Sequence, residues 1–182
     1  MLIFIVLILS AALIIGLKLS QEYFLRKSYP REYSQYVEFY SEKYDVDPAL
    51  AYAVIRTESK FQKDIYSKAG AVGLMQIMPE TFQDLQKKRG KKQVTDAKIL
   101  EEPEINIDYG IYFLSHLINK YESEIKAVIA YNAGPSKVDG WLSKKENFQD
   151  DGKFNIPYNE TKKYVDRVMK AKEVYRKLYF NN

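Results

Sequence analysis

Apolar side chains run from Met1 to Leu17 without a charge, and beyond Tyr29-Pro30 they recur at intervals of three and four almost to the C terminus. The first run lies at the lower edge of the roughly 17 to 25 residues that a helix needs to cross a bilayer. Lys18 can snorkel to the surface and let Leu19 extend the span. A removable leader would carry a basic start and small residues at a cleavage site. Neither stands out, so the pattern predicts a membrane anchor over residues 1–19, with a secreted protein only if the segment is cleaved, and a spacer over residues 20–30.

After the spacer, Tyr33, Tyr36, Val37, Tyr40 and Tyr44 fall at helix spacing. Asp47-Pro48 then supplies an N-cap and a first-turn proline for a second helix. The segment GAVGLMQIMP, Gly70 to Pro79, is apolar and punctuated by glycine, and it leads into a proline-started helix that ends near Gly90. Residues 90–103 read as a polar connection. From Ile107 the positions Ile111, Leu114, Leu117, Ile118 and Tyr121 mark another helix, and Ser123 caps one that stops at Gly134-Pro135. A short helix through Val138 and Trp141, a polar stretch from Ser143 to Asn155, and a final helix with Tyr164, Val165, Val168, Ala171, Tyr175 and Leu178 on one face complete the chain. No strand-length alternation and no repeat interrupts this pattern. The predicted fold class is all-α: one mainly helical domain over residues 31–182 behind an N-terminal transmembrane helix.

Helix geometry puts Leu50, Ala51, Val54 and Ile55 on a stripe that runs into Glu58, the one carboxylate in the stretch VIRTESKFQ, at the end of an apolar and helix-favouring run. Glu58 either closes the helix half exposed or points inward, where desolvation raises its pKa toward what a general acid needs. The same periodicity places Asn132 with Ile125, Val128 and Ile129, so Asn132 is expected inside, capping a core loop or facing a ligand, with the Tyr131 hydroxyl beside it. Gln76 stands among Leu74, Met75, Ile77 and Met78, where an amide needs partners. Glu160 opens the last helix, a position that the backbone dipole stabilises without any further role.

Composition narrows the chemistry. The chain has no cysteine and a single histidine among its 182 residues, which excludes disulfides, thiol nucleophiles and Cys/His zinc sites and leaves acid-base work to carboxylates and tyrosines. His116, on the flank of a helical pattern, reads as structural or solvated. The net charge of +4 is small and its signs are interspersed, so no nucleic-acid partner is expected. Lys18, Arg26, Lys27 and Arg31 follow the anchor and no charged side chain precedes it, which by the positive-inside rule alone points the domain to the cytoplasm.

Four stretches in order carry a resemblance: Glu58-Ser59-Lys60-Phe61, GAVGLMQIMP at residues 70–79, AYNAGP at residues 130–135 and IPYNETKKYV at residues 156–165. Together they resemble the soluble-lytic-transglycosylase-like (SLT) domain of bacterial peptidoglycan lytic transglycosylases, over essentially the whole chain after the spacer. The resemblance implies a lysozyme-like helical fold with a glycan groove, acting on the bond between N-acetylmuramic acid and N-acetylglucosamine without a cofactor. Glu58 matches the single catalytic acid/base, and Ser59 the residue beside it that helps to orient it. Gln76 and Met78 match positions lining the sugar site, Tyr131 and Asn132 a polar pair at the cleaved bond, and Glu160 and Tyr164 the block that closes the groove. Where many members continue after Phe61 with Asn-Pro or Asp-Pro, this chain has Gln62-Lys63, so the local loop differs.

In the family resembled, one glutamic acid protonates the leaving oxygen and then, as carboxylate, accepts the proton of the muramic acid C6 hydroxyl, which closes a 1,6-anhydro ring. The substrate's acetamido group stabilises the charge at C1, so no second carboxylate is required, unlike the two of ordinary glycosidases. The expected partners are therefore peptidoglycan strands and, through the anchor, the membrane, with the domain on the cell-wall side; service to an envelope or secretion apparatus is compatible with this. The competing readings are a hydrolytic muramidase on the same fold and a glycan-binding scaffold without activity.

Overall fold

The computed structural model describes residues 2–149 and 154–181. Eight α-helices and no strand form among them: α1 (Leu2–Ser28), α2 (Ser34–Lys43), α3 (Pro48–Glu58), α4 (Pro79–Lys88), α5 (Pro103–Tyr121), α6 (Glu124–Ala133), α7 (Pro135–Leu142) and α8 (Asn159–Tyr175). The all-α expectation is met. The chain divides into two units, Met1–Glu32 and Tyr33–Asn182.

In the first unit, Ile3–Ser28 is long and apolar enough to cross a membrane by length and composition. The helix does not stop at Leu19. Residues 20–27 contain no glycine or proline, Arg26 bonds Glu22 one turn back at 2.7 Å, and Pro30 then disfavours helix at Tyr29. The spacer expected over residues 20–30 is thus helical through Ser28.

In the second unit α3 is the buried centre. Every residue from Ala49 to Ile55 is fully buried, and α3 packs most extensively on α8, while α5 lies against α6 and α2. Asp47 caps α3 as the sequence implies, its Oδ1 accepting from the Ala49 N–H at 2.9 Å. Lys172, buried on α8, bonds Glu124 and lies 3.2 Å from Asp47 Oδ2, tying the last helix to the starts of α3 and α6. Arg176 adds a 2.6 Å bond to Asp47.

Two boundaries differ from expectation. α5 begins at Pro103, where a first-turn proline is tolerated, instead of at Ile107. The connection before it contains a 3₁₀ turn, Ala97–Glu101, that buries Leu100. The polar stretch after α7 holds a second short turn, Lys145–Asn147, and Phe148 bridges back to Phe154; residues 150–153 of that stretch lie outside the described residues.

Helix α5 presents Gly110 to Met75, and a Cβ at Gly110 would lie 2.3 Å from Met75 Sδ and 2.8 Å from its Cβ. Gly110→Ala is expected to destabilise the second unit by about 1–3 kcal/mol through overpacking. A lowered Tm in thermal unfolding of the detergent-solubilised chain checks it, and an unchanged or raised Tm would show that Met75 moves aside freely.

Candidate active site

Glu58 is the last residue of α3, and the stripe that leads to it is buried along its whole length. Immediately after it the chain reverses: Lys60 and Phe61 both take positive φ, 52° and 66°, in the left-handed region that side chains disfavour. The turn is held by Ser59, whose Oγ donates to the Ile55 carbonyl and accepts from the Phe61 N–H, each at 3.1 Å. Phe61 is buried with its ring 6.4 Å from that of Tyr52. Ser59 therefore supports the turn directly behind Glu58, and its hydroxyl bonds Ile55 and Phe61. Gln62 and Lys63 lie exposed beyond this turn.

The partner of Glu58 comes from 106 residues away: Tyr164 Oη donates to Glu58 Oε1 at 2.6 Å. Tyr164 is on the buried face of α8, 3% exposed, and reaches Glu58 because α8 packs along α3. Burial pushes the Glu58 carboxyl up from its ordinary 4.5 to about 7, although the Tyr164 bond and the nearby charge of Arg167 both pull it down. Desolvation, not a second carboxylate, sets the shift. The Tyr164 hydroxyl is itself driven well above its ordinary range by burial and by the Glu58 charge, so it stays protonated and donating.

The glycine-punctuated segment forms a tight, knotted-back loop. Val72 and Ile77 exchange backbone bonds of 3.0 Å each, Gly73 takes φ 79° and Gln76 takes φ 49°. The Gln76 amide nitrogen donates to the carbonyls of Ile65 at 3.1 Å and Gly73 at 2.9 Å, so much of its hydrogen-bonding capacity holds the loop. Gln76 and Met78 line one small cavity together with Ile77, Thr81, Phe113 and Tyr131. Tyr131 donates to the Met75 carbonyl at 2.8 Å, and both burial and the Glu58 charge raise its pKa well above the ordinary range, which places its hydroxyl near the acid.

Two expected members are exposed to solvent. Asn132 is exposed, and among the described residues its side chain makes no hydrogen bond. Helix α6 is short and buries Ala127, Val128, Ile129 and Ala130 against α5 and α8, which leaves Ile125 half exposed and carries Asn132, two turns on, to the same open side. The inward amide read from periodicity is thus corrected to an outward one. Glu160 is also exposed, in the first turn of α8, where the backbone dipole accounts for it. The structure brings together Glu58, Tyr164 and Tyr131 with the loop carrying Gln76 and Met78.

Sequence reasoning missed Arg167, one turn beyond Tyr164 and acting electrostatically on Glu58. It also missed Phe113 and Thr81 on the cavity wall, and the fully buried Asn106. Helical spacing from Tyr164 would have found Arg167. His116 sits half-buried with Nε2 2.9 Å from Lys88 Nζ, and burial and the Lys88 and Lys120 charges lower its pKa, so it is a neutral structural acceptor, as its position on the helix flank implies.

The family model described as "Transglycosylase SLT domain" matches residues 35–154. The chain is 34% identical over 155 residues to the soluble lytic murein transglycosylase of Salmonella typhimurium, a match covering 84% of this chain and 24% of that protein. It is 28% identical over 167 residues to the membrane-bound lytic murein transglycosylase C of Haemophilus ducreyi, covering 80% of this chain and 46% of the relative. Among solved structures it is similar to an inactive Glu-to-Gln mutant of the lytic transglycosylase Slt from Pseudomonas aeruginosa, with TM-score 0.72 and 28% identity over 82% of this chain and 24% of the other. The chain thus spans about a quarter of the soluble relative and under half of the membrane-bound one.

Proposed function

The chain belongs to the transglycosylase SLT domain family, and from that premise we propose that it is a membrane-anchored peptidoglycan lytic transglycosylase with Glu58 as its single acid/base. It cleaves the β-1,4 bond between N-acetylmuramic acid and N-acetylglucosamine and leaves 1,6-anhydro-N-acetylmuramic acid. The observation that carries this reading is the state of Glu58: a carboxyl at about pKa 7, bonded by Tyr164, with no second carboxylate among the groups that move its pKa. A relative that is inactive as a Glu-to-Gln mutant supports a glutamate as the reacting group.

At neutral pH a good fraction of Glu58 is protonated, so it can hand its proton to the leaving glycosidic oxygen. The resulting carboxylate, stabilised by the Tyr164 hydroxyl, then takes the proton of the C6 hydroxyl as that oxygen attacks C1 and closes the ring. Because the nucleophile belongs to the substrate, the gain lies in orienting it and in keeping water from C1. The walls supplied by Phe113, Met78 and Tyr131 suit that task, and Gln76 offers an amide oxygen to the sugar. Helix α1 serves as the anchor, and the domain faces the wall, because the substrate lies outside the cytoplasm.

The product distinguishes this reaction from hydrolysis on the same fold. Mass spectrometry of muropeptides released from purified peptidoglycan should show products lighter by one water than those of a muramidase; reducing-end muramic acid alone would overturn the proposal. A periplasmic or extracellular reporter fused after residue 182 should be active, and an inactive one would reverse the topology.

Tyr164→Phe removes a bond that favours the carboxylate, so the Glu58 pKa rises further and the alkaline limb of the pH-rate profile moves to higher pH. The turnover at neutral pH should fall roughly tenfold with the loss of one charge-assisted hydrogen bond. A limb that stays in place would remove Tyr164 from the acid's environment.

A further inference from the structure

Asn106 lies on α5, outside the residues proposed to touch the glycan, and its side chain is fully buried. Its Oδ1 accepts from the Met75 N–H at 2.7 Å, and its Nδ2 donates to the carbonyls of Val72 at 2.9 Å and Leu100 at 2.7 Å. One amide thus satisfies three backbone groups that belong to two separate loops and would otherwise be buried unpaired. Gly73 closes against it: a Cβ there would lie 2.3 Å from Asn106 Nδ2 and 2.4 Å from the Leu100 carbonyl oxygen. On the other side of the same residue, Tyr131 donates to the Met75 carbonyl. The backbone of Met75 is therefore held at its N–H from α5 and at its C=O from α6. The next three residues, Gln76, Ile77 and Met78, line one small cavity with Tyr131, whose hydroxyl feels the Glu58 charge.

We infer that Asn106 is a positioning residue for substrate, which, together with the Tyr131 hydroxyl, clamps Met75 and so sets where Gln76 and Met78 meet the sugar. The inference rests on the glycan-cleaving reading of the site and adds to it a residue that never touches the glycan. It separates two tasks. Glu58 and Tyr164 sit on α3 and α8 and bond each other outside the clamp, whereas the sugar-lining loop, closed on itself by its own bonds, is fastened to α5 and α6 through Met75. Losing the clamp should therefore weaken glycan binding while leaving the acid's titration in place.

The test compares the full detergent-solubilised chain with Asn106→Ser, Tyr131→Phe and the double variant on solubilised, uncrosslinked glycan strands. KM and kcat are measured separately, across pH, at a temperature where each variant is fully folded by circular dichroism. Asn106→Ser is expected to raise KM about tenfold, with kcat lowered by less than about threefold and the alkaline limb unmoved. The double variant should raise KM by less than the product of the single effects, because both bonds act on one residue. If Asn106→Ser does not fold, Asn106→Asp, whose remaining oxygen can still accept from the Met75 N–H while the two donated bonds are lost, carries the same expectation of raised KM. A KM within about twofold of wild type in the folded variant, with only Tm lowered, overturns the inference and makes Asn106 purely structural. Glu58→Gln run alongside keeps the two readings apart: retained activity there sinks the proposed chemistry, whereas its loss together with an unchanged KM at Asn106 sinks the clamp alone.

Discussion

Glu58→Gln is expected to lower the release of anhydromuropeptides from purified peptidoglycan by about a thousandfold, the scale on which a positioned general acid contributes. The substitution keeps shape, and its amide oxygen can still accept the Tyr164 hydroxyl that Glu58 accepts at 2.6 Å. What it removes is the proton given to the leaving oxygen and the carboxylate that later takes one back. In the proposed mechanism both steps fall on this one group; the described groups that move its pKa are Tyr164 and Arg167, neither of them a carboxylate. The loss should therefore appear mainly in kcat, with glycan still bound by the loop of Gln76 and Met78. Equal amounts of anhydro product from wild type and variant, quantified by mass spectrometry with folding verified by circular dichroism, would take Glu58 out of the mechanism.

The sequence carried the acid because helical periodicity is a strong signal on a buried helix. Leu50, Ala51, Val54 and Ile55 are all fully buried, so a carboxylate continuing their stripe had to reach the edge of the core. The same rule failed at Asn132, on a helix of ten residues in which Ile125 is half exposed and small alanines define the inner face. A stripe containing two alanines is weakly hydrophobic, and its direction is decided by which neighbours cover it, which only tertiary packing reveals.

Tyr164 was legible as part of a motif block, but its partner was not, because the pairing spans 106 residues and depends on how α8 crosses α3. Ser59 was legible beside Glu58, but its bonds were not: two consecutive left-handed residues follow it, and a turn of that shape sends its hydroxyl back to Ile55 and Phe61. Asn106 was lost to an error of four residues at the start of α5. With that helix opening at Pro103, Asn106 falls one turn before Gly110 on the buried face, where an amide would have demanded partners as Gln76 did.

Glu58→Gln should also stabilise the fold, and by an amount that depends on pH. An ionisable group with a folded pKa near 7 and an ordinary value of 4.5 binds more proton in the folded state than in the unfolded one between those values. Stability consequently falls as pH rises across that window: the contribution of the protonated carboxyl is complete below 4.5 and is lost as the pH passes 7. The full crossing amounts to about 3 kcal/mol, and a glutamine, which does not titrate, escapes it. The variant should therefore gain little Tm over wild type at pH 5 and roughly 6 to 12 °C at pH 8, on the scale set for a chain of this size. Such a gain would mean that the fold tolerates a buried carboxylate at neutral pH for the sake of its chemistry, in the usual opposition between stability and activity. Scanning calorimetry of both proteins at the two pH values decides it. A difference that is the same at pH 5 and pH 8 would mean that Glu58 titrates as an ordinary surface acid, and the protonated form required for the first step would then be scarce at neutral pH.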